Sequence, residues 1–181
     1  MSTLTKTQAL PKILTFNEAK YYIFSVFFVS SAVFFPWLAH QFHIAGPTFL
    51  PMHFFVMIAG FLFGWRTGLL VGVVSPLMSF SITHMPPAAI LAETTLELGV
   101  YGFVVGILRE RGFNIWRALI LSMILGRIAR LIFVLSFGLK TNLLDYFKMS
   151  WPGIILQILL IPLIIALLER YVFERKNEER V

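Results

Sequence analysis

The chain contains no cysteine. That excludes disulfides, thiolate metal ligands and a thiol nucleophile, and it leaves the redox compartment unspecified. Charge is also scarce. Only 13% of the 181 residues are Asp, Glu, Lys or Arg, against 58% that are hydrophobic. A soluble domain of this length needs more polar surface than that. Catalytic signatures are missing too. There is no nucleophile elbow, no His-Glu-x-x-His and no phosphate-binding loop. No enzyme activity and no cofactor is therefore expected. His40, His43, His53 and His84 have no carboxylate at ligand spacing in the sequence, so no metal centre is expected either. They read as ordinary hydrogen-bonding residues.

What the chain has instead is length of apolar sequence. Its mean hydropathy is +0.82, which places it among integral membrane proteins. The net charge of +6 and the pI near 9.9 do not indicate nucleic acid. The basic residues gather at the ends of apolar runs rather than along one face, as the positive-inside rule requires.

Six apolar stretches are readable, at 21–39, 52–64, 68–80, 88–108, 115–137 and 153–173. The second and third are short, since about 20 residues are needed to cross about 30 Å of hydrocarbon. Gly64-Trp-Arg-Thr-Gly68 predicts a tight turn between them, and Arg109-Glu-Arg-Gly-Phe-Asn114 a second turn with Gly112 as helix C-cap. Residues 138–152 read as a polar outer loop. Residues 1–20 are too polar for a signal peptide and read as a cytoplasmic tail, and 174–181 as a second one. Of the 15 Lys and Arg, Arg127 and Arg130 lie mid-span and Lys140 and Lys148 fall in an outer loop. The other eleven fall on the inner side. The expected architecture is an all-α membrane protein, a six-transmembrane-helix bundle over 21–173 with both termini cytoplasmic.

Four ionisable residues interrupt the apolar runs: Glu93, Glu97, Arg127 and Arg130. Charge at membrane depth is costly and rarely present without a partner or a purpose. A helix rises about 1.5 Å per residue, so position converts to depth. Glu97 and Arg127 then lie near the midplane, with Glu93 and Arg130 about one turn further out. The expected pairs are Glu97 with Arg127 and Glu93 with Arg130. They are either structural ion pairs or part of a solute site. The second is favoured, because buried pairs seldom repay their desolvation. A planar guanidinium suits a carboxylate or phosphate on the solute, whereas the glutamates suit a neutral or cationic ring.

Further residues carry a family likeness. Gly46-Pro-Thr-Phe-Leu-Pro-Met-His53, Ala59-Gly-Phe-Leu-Phe-Gly64, Gly68-Leu-Leu-Val-Gly-Val-Val-Ser-Pro76, Met85-Pro-Pro87, Glu97-Leu-Gly-Val-Tyr-Gly102 and Gly126-Arg-Ile-Ala-Arg130 occur in this order. Together they resemble the S component of energy-coupling factor (ECF) vitamin transporters, over most of the chain. The resemblance implies a substrate-binding subunit of a bacterial-type plasma membrane that captures a B-type vitamin or related micronutrient from outside. It implies a transmembrane coupling protein and two ATPase subunits as partners. It implies a pocket at Phe49, Met52, His53, His84, Met85, Glu93, Glu97, Arg127 and Arg130, with Asn142 and Trp151 as further positions. Many members dock through Ala-x-x-x-Ala on the first helix. Here that helix offers Ser25, Ser30, Ser31 and Ala32 among bulky phenylalanines instead. The competing expectations are a non-transporting six-span scaffold, a lipid-modifying membrane enzyme, and a dimeric secondary transporter.

Overall fold

The computed structural model describes residues 19–42, 51–139 and 143–178. Among these residues all regular structure is helical. The helices are α1 (Ala19–Gln41), α2 (Pro51–Phe63), α3 (Trp65–Thr83), α4 (Ala88–Glu110), α5 (Ile115–Ser136) and α6 (Leu143–Glu178). Five of them contain a stretch long and apolar enough to cross a membrane. The exception is α2, whose 13 residues rise only about 20 Å. The exposed side chains are apolar: Ile23, Phe27, Ile132, Leu135, Leu159 and Leu167 are each more than half exposed. Such a surface is stable in lipid and not in water. The chain is a multi-pass membrane protein.

The short α2 is the centre of the bundle. Apart from His53 in its first turn it is apolar all round, as a helix without a solvent face must be. All its residues from Val56 to Phe63 are buried. It packs on α1, α3 and α4, and the far end of the chain returns to it through α6. Ser25 and Ala32 of α1 face inward onto this core, at 3% and 0% exposure, whereas Ser30 is exposed and Ser31 half-buried. The outer face of α1 is bulky, formed by Ile23, Val26, Phe27 and Phe34.

Two predicted connections differ from the structure. The turn expected over 64–68 is a single-residue break at Gly64, whose φ is 89°. Helix α3 restarts at Trp65 because the Glu110 side chain, at the end of α4, accepts a hydrogen bond from the Trp65 N–H at 3.1 Å. A carboxylate there satisfies an orphan donor and complements the positive helix end. With three more residues at each end than the 68–80 stretch, α3 reaches 19 residues. The outer loop expected over 138–152 is also shorter. Helix α6 begins at Leu143 and runs through Pro152 and Pro162. Proline is tolerated in a membrane helix because neighbouring groups re-satisfy the freed carbonyls.

The closest approach in the bundle is between α3 and α4. A Cβ added to Gly68 would meet the backbone carbonyl of Gly102, and one added to Gly102 would meet that of Gly68. Small residues at a crossing are how membrane helices gain van der Waals contact. At the other turn, Gly112 takes a φ of 75° after α4, and the Asn114 side chain accepts from the Trp116 N–H at 2.9 Å to start α5. Asn114→Ala removes this cap. It is expected to lower stability by about 1 kcal/mol, measured by thermal unfolding in detergent.

Candidate functional site

Helix α4 places Glu93, Glu97 and Tyr101 four residues apart, on one face. Helix α5 brings Arg130 against that face. The Arg130 guanidinium donates from Nη2 to Glu93 Oε1 at 2.7 Å and from Nη1 to Glu97 Oε2 at 2.8 Å. Both carboxylates are fully buried, and Arg130 is 3% exposed. The predicted pairing was Glu97 with Arg127 and Glu93 with Arg130. The Glu93–Arg130 pair is present, and the structure corrects the other, since Arg130 also bonds Glu97. A guanidinium is a fork, and two carboxylates one turn apart present oxygens to both prongs.

Two tyrosines complete the cluster. The Tyr101 hydroxyl donates to Glu97 Oε1 at 2.9 Å, and the Tyr146 hydroxyl donates to Glu97 Oε2 at 3.0 Å. The Tyr146 ring also covers Arg130, with 3.6 Å between the guanidinium carbon and the ring centroid. That is a close cation–π contact, with the guanidinium buried. Arg127, half-buried, stands 5.3 Å from the same ring. Tyr101 fits because α5 has glycine opposite it: a Cβ on Gly126 would run into the Tyr101 ring. Neither tyrosine was expected in the site. Tyr101 was legible, since it follows Glu97 by one helical turn. Tyr146 was not, because its segment reads as loop.

His53 enters from the first turn of α2. It is 4% exposed, its Nε2 is 3.9 Å from Glu97 Oε2, and its ring centroid is 5.3 Å from that of Tyr101. Beside these groups lies a cavity of about 150 Å³. His40, His53, Arg130 and Tyr146 form its polar wall with Ser79 and Thr94; Met52, Met85, Ile90 and four prolines form its apolar walls. A concave, mostly apolar space with a few convergent polar groups is the usual form of a small-molecule site. A larger groove of about 610 Å³ runs between α3 and α4, lined by side chains such as Leu69, Val73 and Leu91. It carries no charged group, and its Thr95 hydroxyl is taken up by the Leu91 carbonyl at 2.7 Å. Nothing there would orient a polar solute.

Of the residues expected at the pocket, His53, Glu93, Glu97, Arg127 and Arg130 converge, and Met52 and Met85 reach the cavity wall. His84 does not converge. It is exposed, in the left-handed conformation that ends α3, with φ at 56°. Trp151 stands apart as well, 59% exposed on α6. Phe49 and Asn142 lie outside the described residues. Among the described residues, no group of three His, Asp or Glu is arranged to hold a metal ion.

Comparison with known proteins adds one finding. A family model described as "ECF transporter, substrate-specific component" matches residues 20–172. No curated protein and no solved structure matches the chain.

Proposed function

Because the chain belongs to the family of ECF transporter substrate-specific components, we propose that its cavity captures a B-type vitamin or related micronutrient from outside the cell. The family makes it a membrane subunit that binds a substrate for uptake. In our reading it works in a bacterial-type plasma membrane, with a transmembrane coupling protein and two ATPase subunits that supply the energy. All six helices lie within the membrane and both termini face the cytoplasm. The short α2 then starts inside the membrane, which sets His53 at the depth of the Glu93–Arg130–Glu97 cluster.

The observation that carries this reading is the meeting of that cluster with a cavity. Charges buried only to tie α4 to α5 need no space beside them. Here the guanidinium and the phenol that close the cluster also form the wall of a small cavity that His53 shares. The cluster is pre-organised, since Glu97 accepts from Arg130, Tyr101 and Tyr146 together. A site held this way pays little ordering entropy when a solute enters.

The full chain, purified in mild detergent, is expected to gain several degrees of thermal stability with one member of a B-vitamin panel, because a ligand that binds only the folded state stabilises it by mass action. A panel in which no member shifts the unfolding temperature would remove the support for an uptake function.

A further inference from the structure

We propose that the cavity takes a solute with no negative charge, held at its polar edge by His53, while the Glu93–Arg130–Glu97 cluster stays closed. This rests on the uptake reading above and narrows it to a class of substrate.

The first ground is the state of Arg130. An arginine usually recognises a carboxylate or phosphate by presenting two N–H groups in parallel. Both terminal nitrogens of Arg130 already donate to glutamates, at 2.7 and 2.8 Å, and one face of the guanidinium is covered by the Tyr146 ring at 3.6 Å. An anion seeking that fork must displace Glu93 or Glu97. The displaced carboxylate, with no exposed surface, would lose its bond to the guanidinium while still buried, which is unfavourable.

The second ground is charge balance. Two carboxylates face one guanidinium in the cluster, an excess of one negative charge. Arg127, 5.3 Å from the Tyr146 ring, brings the four to zero. No surplus of positive charge awaits an anion, and a third carboxylate beside the cluster would be repelled by the first two. An uncharged solute meets no such opposition.

The third ground is His53. Among the described residues neither of its ring nitrogens has a hydrogen-bond partner, although the residue is 4% exposed. A buried polar group without a partner is unfavourable unless something supplies one. Its place in the cavity wall makes the solute that partner. A neutral imidazole presents one donor and one acceptor. The complementary group is an amide, a lactam or a hydroxyl-bearing heteroaromatic edge. The Thr94 hydroxyl, which both donates and accepts, extends the same preference, while the Ser79 hydroxyl is engaged by Thr83 Oγ1 at 3.4 Å. Met52 and Met85 offer an adaptable apolar wall to the body of a ring.

The test uses pairs of compounds that share a skeleton and differ in charge: nicotinamide and nicotinate, panthenol and pantothenate, biotin amide and biotin, pyridoxine and its phosphate, riboflavin and its phosphate, thiamine and its monophosphate. Each is titrated into the full chain in detergent, by calorimetry or thermal shift. For the skeleton that binds, the member without the added anion is expected to bind at least about tenfold more tightly, the scale of one well-placed hydrogen bond or one avoided charge clash. His53→Ala is expected to weaken that binding about tenfold. His53→Gln, which keeps a donor and an acceptor, should recover part of it. Equal or tighter binding of the anionic member overturns the charge claim and leaves the uptake reading standing. Unchanged affinity in a folded His53→Ala protein overturns the role of His53. Binding by no member of any pair overturns the uptake reading, and this inference with it.

Discussion

Arg130→Ala is expected to destabilise the protein by about 3–5 kcal/mol, the scale found when one partner of a buried ion pair is removed. The size follows from what is left behind. Glu93 and Glu97 have no exposed surface, and Arg130 is the guanidinium that bonds both. Without it two fully buried carboxylates stand one helical turn apart. Tyr101 and Tyr146 still donate to Glu97 but bring no charge. Arg130→Lys should be intermediate, since an ammonium keeps the charge and loses the fork that spans both acids. Combining Arg130→Met with Glu93→Gln and Glu97→Gln removes all three charges together and should recover most of the lost stability. Thermal unfolding in detergent, followed by tryptophan fluorescence, orders the variants. An Arg130→Ala protein as stable as the parent would mean that the carboxylates are not held as charged groups by this arginine.

The second large effect is expected at the crossing of α3 and α4. Gly102→Ala should destabilise by roughly 3 kcal/mol, and Gly102→Leu should prevent accumulation of monodisperse protein; overpacking usually costs about 1–3 kcal/mol, and more where the neighbour cannot give way. The neighbour here is the Gly68 backbone, and a main chain inside a helix cannot rotate aside as a side chain does. Gly99→Ala is the matched control. Its added Cβ would meet only the side-chain ends of Val73 and Leu69, at 3.2 and 3.7 Å, so a much smaller loss is expected. Size-exclusion profiles and unfolding temperatures of the three variants decide it. Equal behaviour of Gly99→Ala and Gly102→Ala would contradict the close crossing.

Hydropathy made most of the helices legible, because a lipid-facing helix carries its signal in every residue. Five of the six apolar stretches correspond to helices within a few residues of the expected ends. The start of α6 was hidden. Asp145 and Lys148 give its first turns the polarity of a loop, and Pro152 reads as a break. That error also concealed Tyr146, which closes the site from above Arg130. Depth arithmetic placed the four charges on one pair of helices, at two levels one turn apart. It found the Glu93–Arg130 pair and missed the Glu97–Arg130 bond because it compared Cα heights. A long, forked side chain at a helix crossing reaches across a full turn. Tyr101 could have been found from its spacing after Glu97. The cavity itself was not legible, since it depends on how α2, α3 and α4 meet at their ends.

The cluster therefore changes meaning between sequence and structure. Two level-matched ion pairs would be complete without a ligand. A single arginine tied to both glutamates stands beside a small cavity whose wall includes His53, and neither ring nitrogen of His53 has a hydrogen-bond partner among the described residues. The most direct test is native mass spectrometry of the full chain released from mild detergent, after incubation with a small-molecule extract of rich growth medium. The account predicts a single adduct, one per chain, of vitamin-like mass and without a carboxylate or phosphate. A spectrum showing lipid adducts alone would contradict it.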